Sequence, residues 1–124
     1  MPTNVKIIHA KEFIRATPEG RLDLDESKKL LLDLAEAASH LPGIHVILDI
    51  RKAQVETSVT DLWYLANEYC NHRGAFSHKL AVLCAPERFD RTAFFALCAK
   101  NRGLYISVFT SYEDAIEWLI EGWI

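Results

Sequence analysis

Apolar and polar positions along this chain follow two rhythms, and the boundaries between them mark out the elements. The block Ile44 to Ile50 sits near the middle, behind the turn formers Pro42 and Gly43, and leaves Asp49 and Arg51 near its exit. Strands covered on both faces read as near-continuous apolar runs, so this block predicts a buried central strand. Lys79 to Ala85, stopped by Pro86, has the same character, and Leu104 to Phe109 predicts a shorter strand. Ahead of them, Val5 to His9 and Phe13 to Thr17 are strand-like runs closed by Pro18, Glu19 and Gly20, which predict a hairpin or two strands at one side of a sheet.

Between these runs the apolar period lengthens to that of a helix. Leu30, Leu31, Leu34, Ala37, Ala38 and Leu41 form one stripe, and Leu62, Leu65, Ala66, Tyr69 and Cys70 a second. Phe94, Leu97 and Cys98 predict the inner face of a helix from about Phe89 to Arg102, with Gly103 as its stop. Ala115, Ile116, Leu119 and Ile120 predict a fourth helix, and Trp123 is expected to fold back over it. Start signals agree with these spans: Asp23 with Glu26 three residues on (Asp25 being a rival cap), Ser58 with Asp61, and Ser111 with Asp114. Pro42 with Gly43 ends the first helix, and Gly74 suits the end of the second.

The resulting order is β-β-α-β-α-β-α-β-α: an α/β chain with a mainly parallel or mixed sheet of about five strands and about four helices. Parallel crossovers in such a sheet are expected to be right-handed. Residues 1–124 hold no repeat, linker or low-complexity stretch, and they read as one domain, long enough to bury a core without disulfides or metal.

Composition narrows the chemistry. The net charge of -3 gives no basic field for nucleic acid. Cys70, Cys84 and Cys98 are widely spaced in apolar surroundings, as reduced structural thiols are, and no Cys/His ligand cluster appears. No apolar run approaches a membrane span and no leader pattern opens the chain, so the cytoplasm is the expected address. No cofactor is implied. A Ser/His/Asp arrangement, a phosphate loop and paired-carboxylate spacing are all missing, so an enzyme would have to assemble its site from single residues that spacing does not pair.

Single residues carry the remaining candidates. Asp49 and Arg51, one residue apart on a strand, point the same way and can pair; they also stand at the carboxyl edge of the sheet, where open α/β sheets bind ligands. Pro86, Arg88 and Ser111 fall on the same predicted rim. A receiver-type phosphoacceptor at Asp49 would need acidic residues after the first strand and a Lys after the last; His9 with Ala10 and Thr110 with Ser111 stand there instead. His72, Arg73, His78 and Lys79 form a basic cluster at the opposite end, suited to a helix C-terminus. Trp63 and Tyr64 are adjacent on one helix, as Phe94 and Phe95 are on another, so one of each pair must leave the core. Trp63 and Tyr64 are the candidate contact surface.

The two-strand start, GRLDLDESKKLLLDL, VILDIRKAQVETS and VFTSYEDAIEWL together resemble the STAS superfamily, which includes the bacterial anti-sigma-factor antagonists and SpoIIAA-like small proteins. The resemblance spans nearly the whole chain and implies a STAS/SpoIIAA-like fold and a regulatory role through a protein partner. In the antagonists a kinase phosphorylates a Ser at the N-terminus of the helix after the central strand, in a pattern close to Asp-Ser-Ser-Gly-Leu. Here Glu56 to Thr60 occupy that stretch but depart from the pattern: Ser58 takes the place of that Ser, Thr57 replaces the Asp before it, and a β-branched or polar residue, Val59 or Thr60, replaces the Gly. Ser58 and Thr57 are therefore the candidate phosphosites, and Ser58 also reads as a plain N-cap. Two functions follow: a non-catalytic regulatory or protein-binding module, homodimeric or bound to another protein; or a carrier or sensor of a small apolar or anionic ligand held at the carboxyl edge by Asp49, Arg51, Arg88 and Ser111.

Overall fold

The computed structural model describes residues 4–9, 13–40, 44–72 and 79–120, with backbone alone for 4–9. Along the chain run β1 (Asn4–His9), β2 (Phe13–Leu22), α1 (Leu24–Ser39), β3 (His45–Asp49), β4 (Ala53–Val55), α2 (Val59–Asn71), β5 (Leu80–Leu83), a 3-10 turn (Pro86–Arg88), α3 (Phe89–Lys100), β6 (Ile106–Phe109) and α4 (Tyr112–Ile120). The sheet order is β1-β2-β3-β5-β6, and β4 pairs with β2. β1 is antiparallel to β2, while β2, β3, β4, β5 and β6 pair in parallel. The expected α/β architecture with a mixed, mainly parallel sheet and four helices is present.

Alternation along the strands builds two unequal layers. Ile14, Ala16, Val46, Leu48, Leu80 and Val82 belong to the large core, together with buried residues of α1, α2 and α3. Ile47 and Ala81 point the other way and pack with Ala115 and Leu119 of α4 in a smaller cluster. Asp23 caps α1 as expected, accepting a hydrogen bond from the Glu26 N–H at 2.9 Å. Gly103, at φ 99°, closes α3: its N–H donates to Lys100 O, and the Leu104 N–H reaches Ala99 O at 3.1 Å. That is the Schellman arrangement, which favours glycine at this position.

Three expectations about elements need correction. Pro18, Glu19 and Gly20 do not end β2, which continues to Leu22. Pro18 falls between the stretch paired with β3 (Phe13 to Ala16) and that paired with β4 (Gly20 to Leu22). Its missing N–H therefore costs no ladder bond on that edge. Gly20, at φ 89°, supplies the backbone freedom where the strand changes partner. For the same reason there is a sixth strand: the polar stretch after Asp49 turns at Arg51 and Lys52 and resumes as β4.

The inner stripe of α3 is also displaced. Thr92, Phe95, Ala96, Cys98 and Ala99 are buried, Phe94 is half-buried and Leu97 is 55% exposed. α3 carries apolar residues nearly all round, so periodicity alone does not select the buried face. In α4, Ala115 and Leu119 are buried and Ile120 is exposed. Cys70, Cys84 and Cys98 are buried and unbridged. Leu41, Gly74, Arg73, His78 and Trp123 lie outside the described residues.

Candidate functional site

The carboxyl edge of the sheet carries two groups of chemically able residues, and the sheet separates them. On the α4 side, Asp49 ends β3 with its side chain 3% exposed. Arg51 wraps back onto it: the Arg51 N–H and Nε donate to Asp49 Oδ1 at 3.1 and 3.0 Å, and Nη2 donates to Oδ2 at 2.9 Å. Arg15 Nη2 reaches the same Oδ2 at 3.1 Å. Parallel register sets up this third contact: Arg15 is opposite Ile47, so Asp49 lies two residues further along the same face. The Arg15 guanidinium rests on the Tyr112 ring, 4.9 Å from its centroid, at the start of α4.

Burial works to raise the pKa of Asp49, but hydrogen bonds from the Arg51 side chain, the Arg51 backbone and Arg15 outweigh it and hold the carboxyl below its ordinary value. The Asp49 hydrogen bond correspondingly raises the pKa of Arg51. Two guanidinium groups share one carboxylate, leaving one net positive charge. The expected Asp49–Arg51 pair therefore forms. Arg15 was missed, although a lone Arg alternating with Ile14 and Ala16 places a charge on the opposite face from that core.

The second group lies on the face covered by α1, α2 and α3. A cavity of about 70 Å³ opens there, lined by Leu22, Leu48, Val82, Leu62 and Phe95, with Thr57, Arg88 and Arg91 among its walls. Leu48 faces this cavity while its neighbour Asp49 faces α4, so the expected rim of Asp49, Arg51, Arg88 and Ser111 is divided. Arg88 belongs to the cavity; Ser111 caps α4 through a long contact, with the Asp114 N–H 3.4 Å from its Oγ. Burial pushes the Cys84 thiol up in pKa. Burial does the same to the Tyr69 hydroxyl.

Thr57 and Ser58 are adjacent and have opposite surroundings. Thr57 is 5% exposed, and its Oγ1 is buried without a hydrogen-bond partner. Arg91 Nη1 donates to the Thr57 carbonyl at 3.1 Å. Ser58 is exposed and caps α2 in a complete capping box: its Oγ accepts from the Asp61 N–H at 3.1 Å, and Asp61 Oδ2 accepts from the Ser58 N–H at 3.0 Å. Beyond the cap, Val59, Trp63 and Tyr64 are 52%, 49% and 37% exposed. Each ring carries a cation: Arg102 lies 5.2 Å from the Trp63 centroid, and Lys28 Nζ 4.5 Å from that of Tyr64. At the opposite end of the sheet, Lys79 donates to the Trp118 carbonyl and sits over the Trp118 and Tyr105 rings.

Among the described residues no group of three His, Cys, Asp or Glu side chains could hold a metal, and no helix is long and apolar enough to cross a membrane.

The strand order, the single antiparallel edge and the helix following the central strand define an α/β protein of the SpoIIAA-like fold. An uncharacterised DUF3478-family protein with a SpoIIAA-like fold from Shewanella loihica PV-4 is 16% identical at TM-score 0.62, over 94% of this chain and 93% of that one. An anti-sigma factor antagonist from Mycobacterium paratuberculosis is 11% identical at TM-score 0.62, over 96% and 95%. The Bacillus cell fate determinant SpoIIAA in its phosphorylated form is 14% identical at TM-score 0.56, over 94% and 97%. At these identities the shared property is the fold. No family model matches the chain. No curated protein matches it by sequence.

Proposed function

We propose that this chain is a non-catalytic, cytoplasmic regulatory module that binds a protein through the N-terminal face of α2, the partner being a second copy or another chain. The observation that carries this reading is the exposed strip Val59, Trp63 and Tyr64 directly beyond the Ser58 cap. Large apolar side chains grouped on a surface mark contact sites more often than isolated ones do. Two solved neighbours of the same fold are anti-sigma factor antagonists, which supports a regulatory role. Ser58 is the exposed member of the two candidate phosphosites; the Thr57 hydroxyl is turned inward.

The test measures sedimentation and quantitative partner capture for the native chain, Trp63→Ala and Tyr64→Ala. Self-association or capture that the Trp63→Ala variant loses supports the reading. A strict monomer whose capture profile is unchanged in both variants removes it.

A second reading, a carrier or sensor of a small ligand at the carboxyl edge, is favoured by the cavity beside Thr57 and Arg88. A melting-temperature screen against classes of small ligand separates it from the first.

A further inference from the structure

The cavity walls are mostly apolar, and of the polar side chains among them, Ser27, Thr57, Tyr69, Arg88, Arg91 and Thr92, three have one chemistry in common. Thr57 presents a buried hydroxyl that no protein group satisfies. Arg88 is half-buried and Arg91 exposed, and both line the same cavity. Among the described residues neither Arg88 nor Arg91 forms an ion pair, whereas Arg15, Arg21, Arg51 and Lys52 do. Arg91 spends one donor on the Thr57 carbonyl. Of the other hydroxyl-bearing residues in the wall, Ser27, Tyr69 and Thr92, none carries a buried group without a partner, and Thr92 donates to Arg88 O at 2.8 Å.

What remains is a set of donors without an acceptor. An unsatisfied buried hydroxyl costs about 1–3 kcal/mol, and protein interiors rarely tolerate one without cause. A guanidinium beside an apolar cavity binds a planar carboxylate through matched donors. A phosphate would bring more charge and more acceptor oxygens than one hydroxyl and these guanidinium groups can meet inside so apolar a wall. A neutral apolar molecule would leave the donors as they are.

We propose that this cavity binds a small carboxylic acid with an apolar body. Arg88 and the Thr57 hydroxyl take the carboxylate, and Leu48, Val82, Leu62 and Phe95 take the body. The inference rests on the ligand reading above and specifies its chemistry. It also connects the cavity to the partner face, because Thr57 immediately precedes the Ser58 cap and Arg91 holds the Thr57 carbonyl.

The experiment titrates isotope-labelled protein with hexanoate and phenylacetate, with hexanamide and phenylacetamide as uncharged counterparts, and with inorganic phosphate. Backbone amide shifts give the site and the affinity. The acids are expected to shift Thr57, Leu62 and Phe95 saturably and to bind about tenfold more tightly than the amides, the usual advantage of a charge-assisted pair. Arg88→Gln should abolish that preference. Thr57→Val, which keeps the shape and removes the hydroxyl, should weaken acid binding while leaving the melting temperature unchanged or higher, since it deletes an unsatisfied polar group. Equal binding of acids and amides, or acid affinity untouched by Arg88→Gln, overturns this inference and leaves the ligand reading standing. A Thr57→Val variant that melts lower and binds the acids as well as the native chain shows a hydroxyl satisfied by water alone, and overturns it too. If no probe shifts any cavity residue, the inference and the ligand reading both fall.

Discussion

Replacing Asp49 by Asn tests whether the Arg15–Asp49–Arg51 cluster holds the end of the central strand in place. The carboxylate accepts four hydrogen bonds, two at each oxygen. An amide offers only one acceptor oxygen, so either orientation sets its NH₂ against two donors. Hydrogen bonds to charged groups contribute about 1.5–3 kcal/mol each, but they are not additive. The Arg15 and Arg51 side chains are 33% and 38% exposed, so both regain water when the carboxylate is lost. That exposure brings the expected loss below the about 3–5 kcal/mol of a fully buried pair, to about 2–3 kcal/mol, or a melting temperature about 10 °C lower. Urea unfolding followed by tryptophan fluorescence measures it, with an unchanged slope against denaturant as the sign of an intact fold.

The pH dependence supplies a second check. The unfolded Asp49 takes a proton near pH 3.9, roughly the value of a free aspartate, and the folded one only at lower pH. Stability from this group is thus complete above about pH 4 and is lost as the pH falls through the folded value. The Asn variant has no such proton, so its deficit should narrow below about pH 4. A deficit under about 0.5 kcal/mol at neutral pH, the scatter of ordinary surface changes, would refute the argument, as would one that stays constant on acidification.

Ser58→Ala should cost about 1 kcal/mol by removing the cap acceptor, whereas Ser58→Asp keeps an acceptor and should remain close to the native chain in thermal unfolding. If the two variants also bind partners identically, Ser58 is a cap and not a phospho-switch. Phe95→Ala should cost about 3–5 kcal/mol, since the ring is buried and meets Tyr69 edge-on at 5.5 Å. Leu97→Lys, two residues away on the exposed side of the same helix, should stay within about 0.5 kcal/mol in the same denaturation assay.

The parts of the fold legible in the sequence are those where one local force dominates. Continuous apolar runs identified β3 and β5 because burial on both faces leaves little room for polar residues. Caps at Asp23 and Ser58 were legible because the Asp or Ser and its partner lie three residues apart. The errors arose where two elements share a decision. Whether Pro18 ends a strand depends on which neighbour is paired beside it, and the phase of α3 depends on the sheet beneath rather than on its own nearly uniform composition. The site followed the same division. Asp49 and Arg51 are two residues apart and could be paired by alternation, but Arg15 is 34 residues from Asp49, and only the β2–β3 register joins them. Nor does the local sequence distinguish the inward hydroxyl of Thr57 from the outward one of Ser58; the packing of α2 against α3 does.

One strand separates the two groups at the carboxyl edge, and this has consequences for how the molecule works. Leu48 contributes to the cavity and Asp49 to the arginine cluster because successive residues of a strand face opposite sides. The single rim expected from sequence is thus two surfaces back to back. The arginine cluster gives its carboxylate four hydrogen bonds and ties β2, β3 and α4 together, as a structural device does, although the buried Arg15 Nε has no hydrogen-bond partner among the described residues. The cavity retains an unsatisfied hydroxyl and two guanidinium groups that form no ion pair among the described residues, and its wall leads through Thr57 into the cap of α2 and the exposed Trp63 and Tyr64. Function is therefore better sought on the α2 side of the sheet than at Asp49.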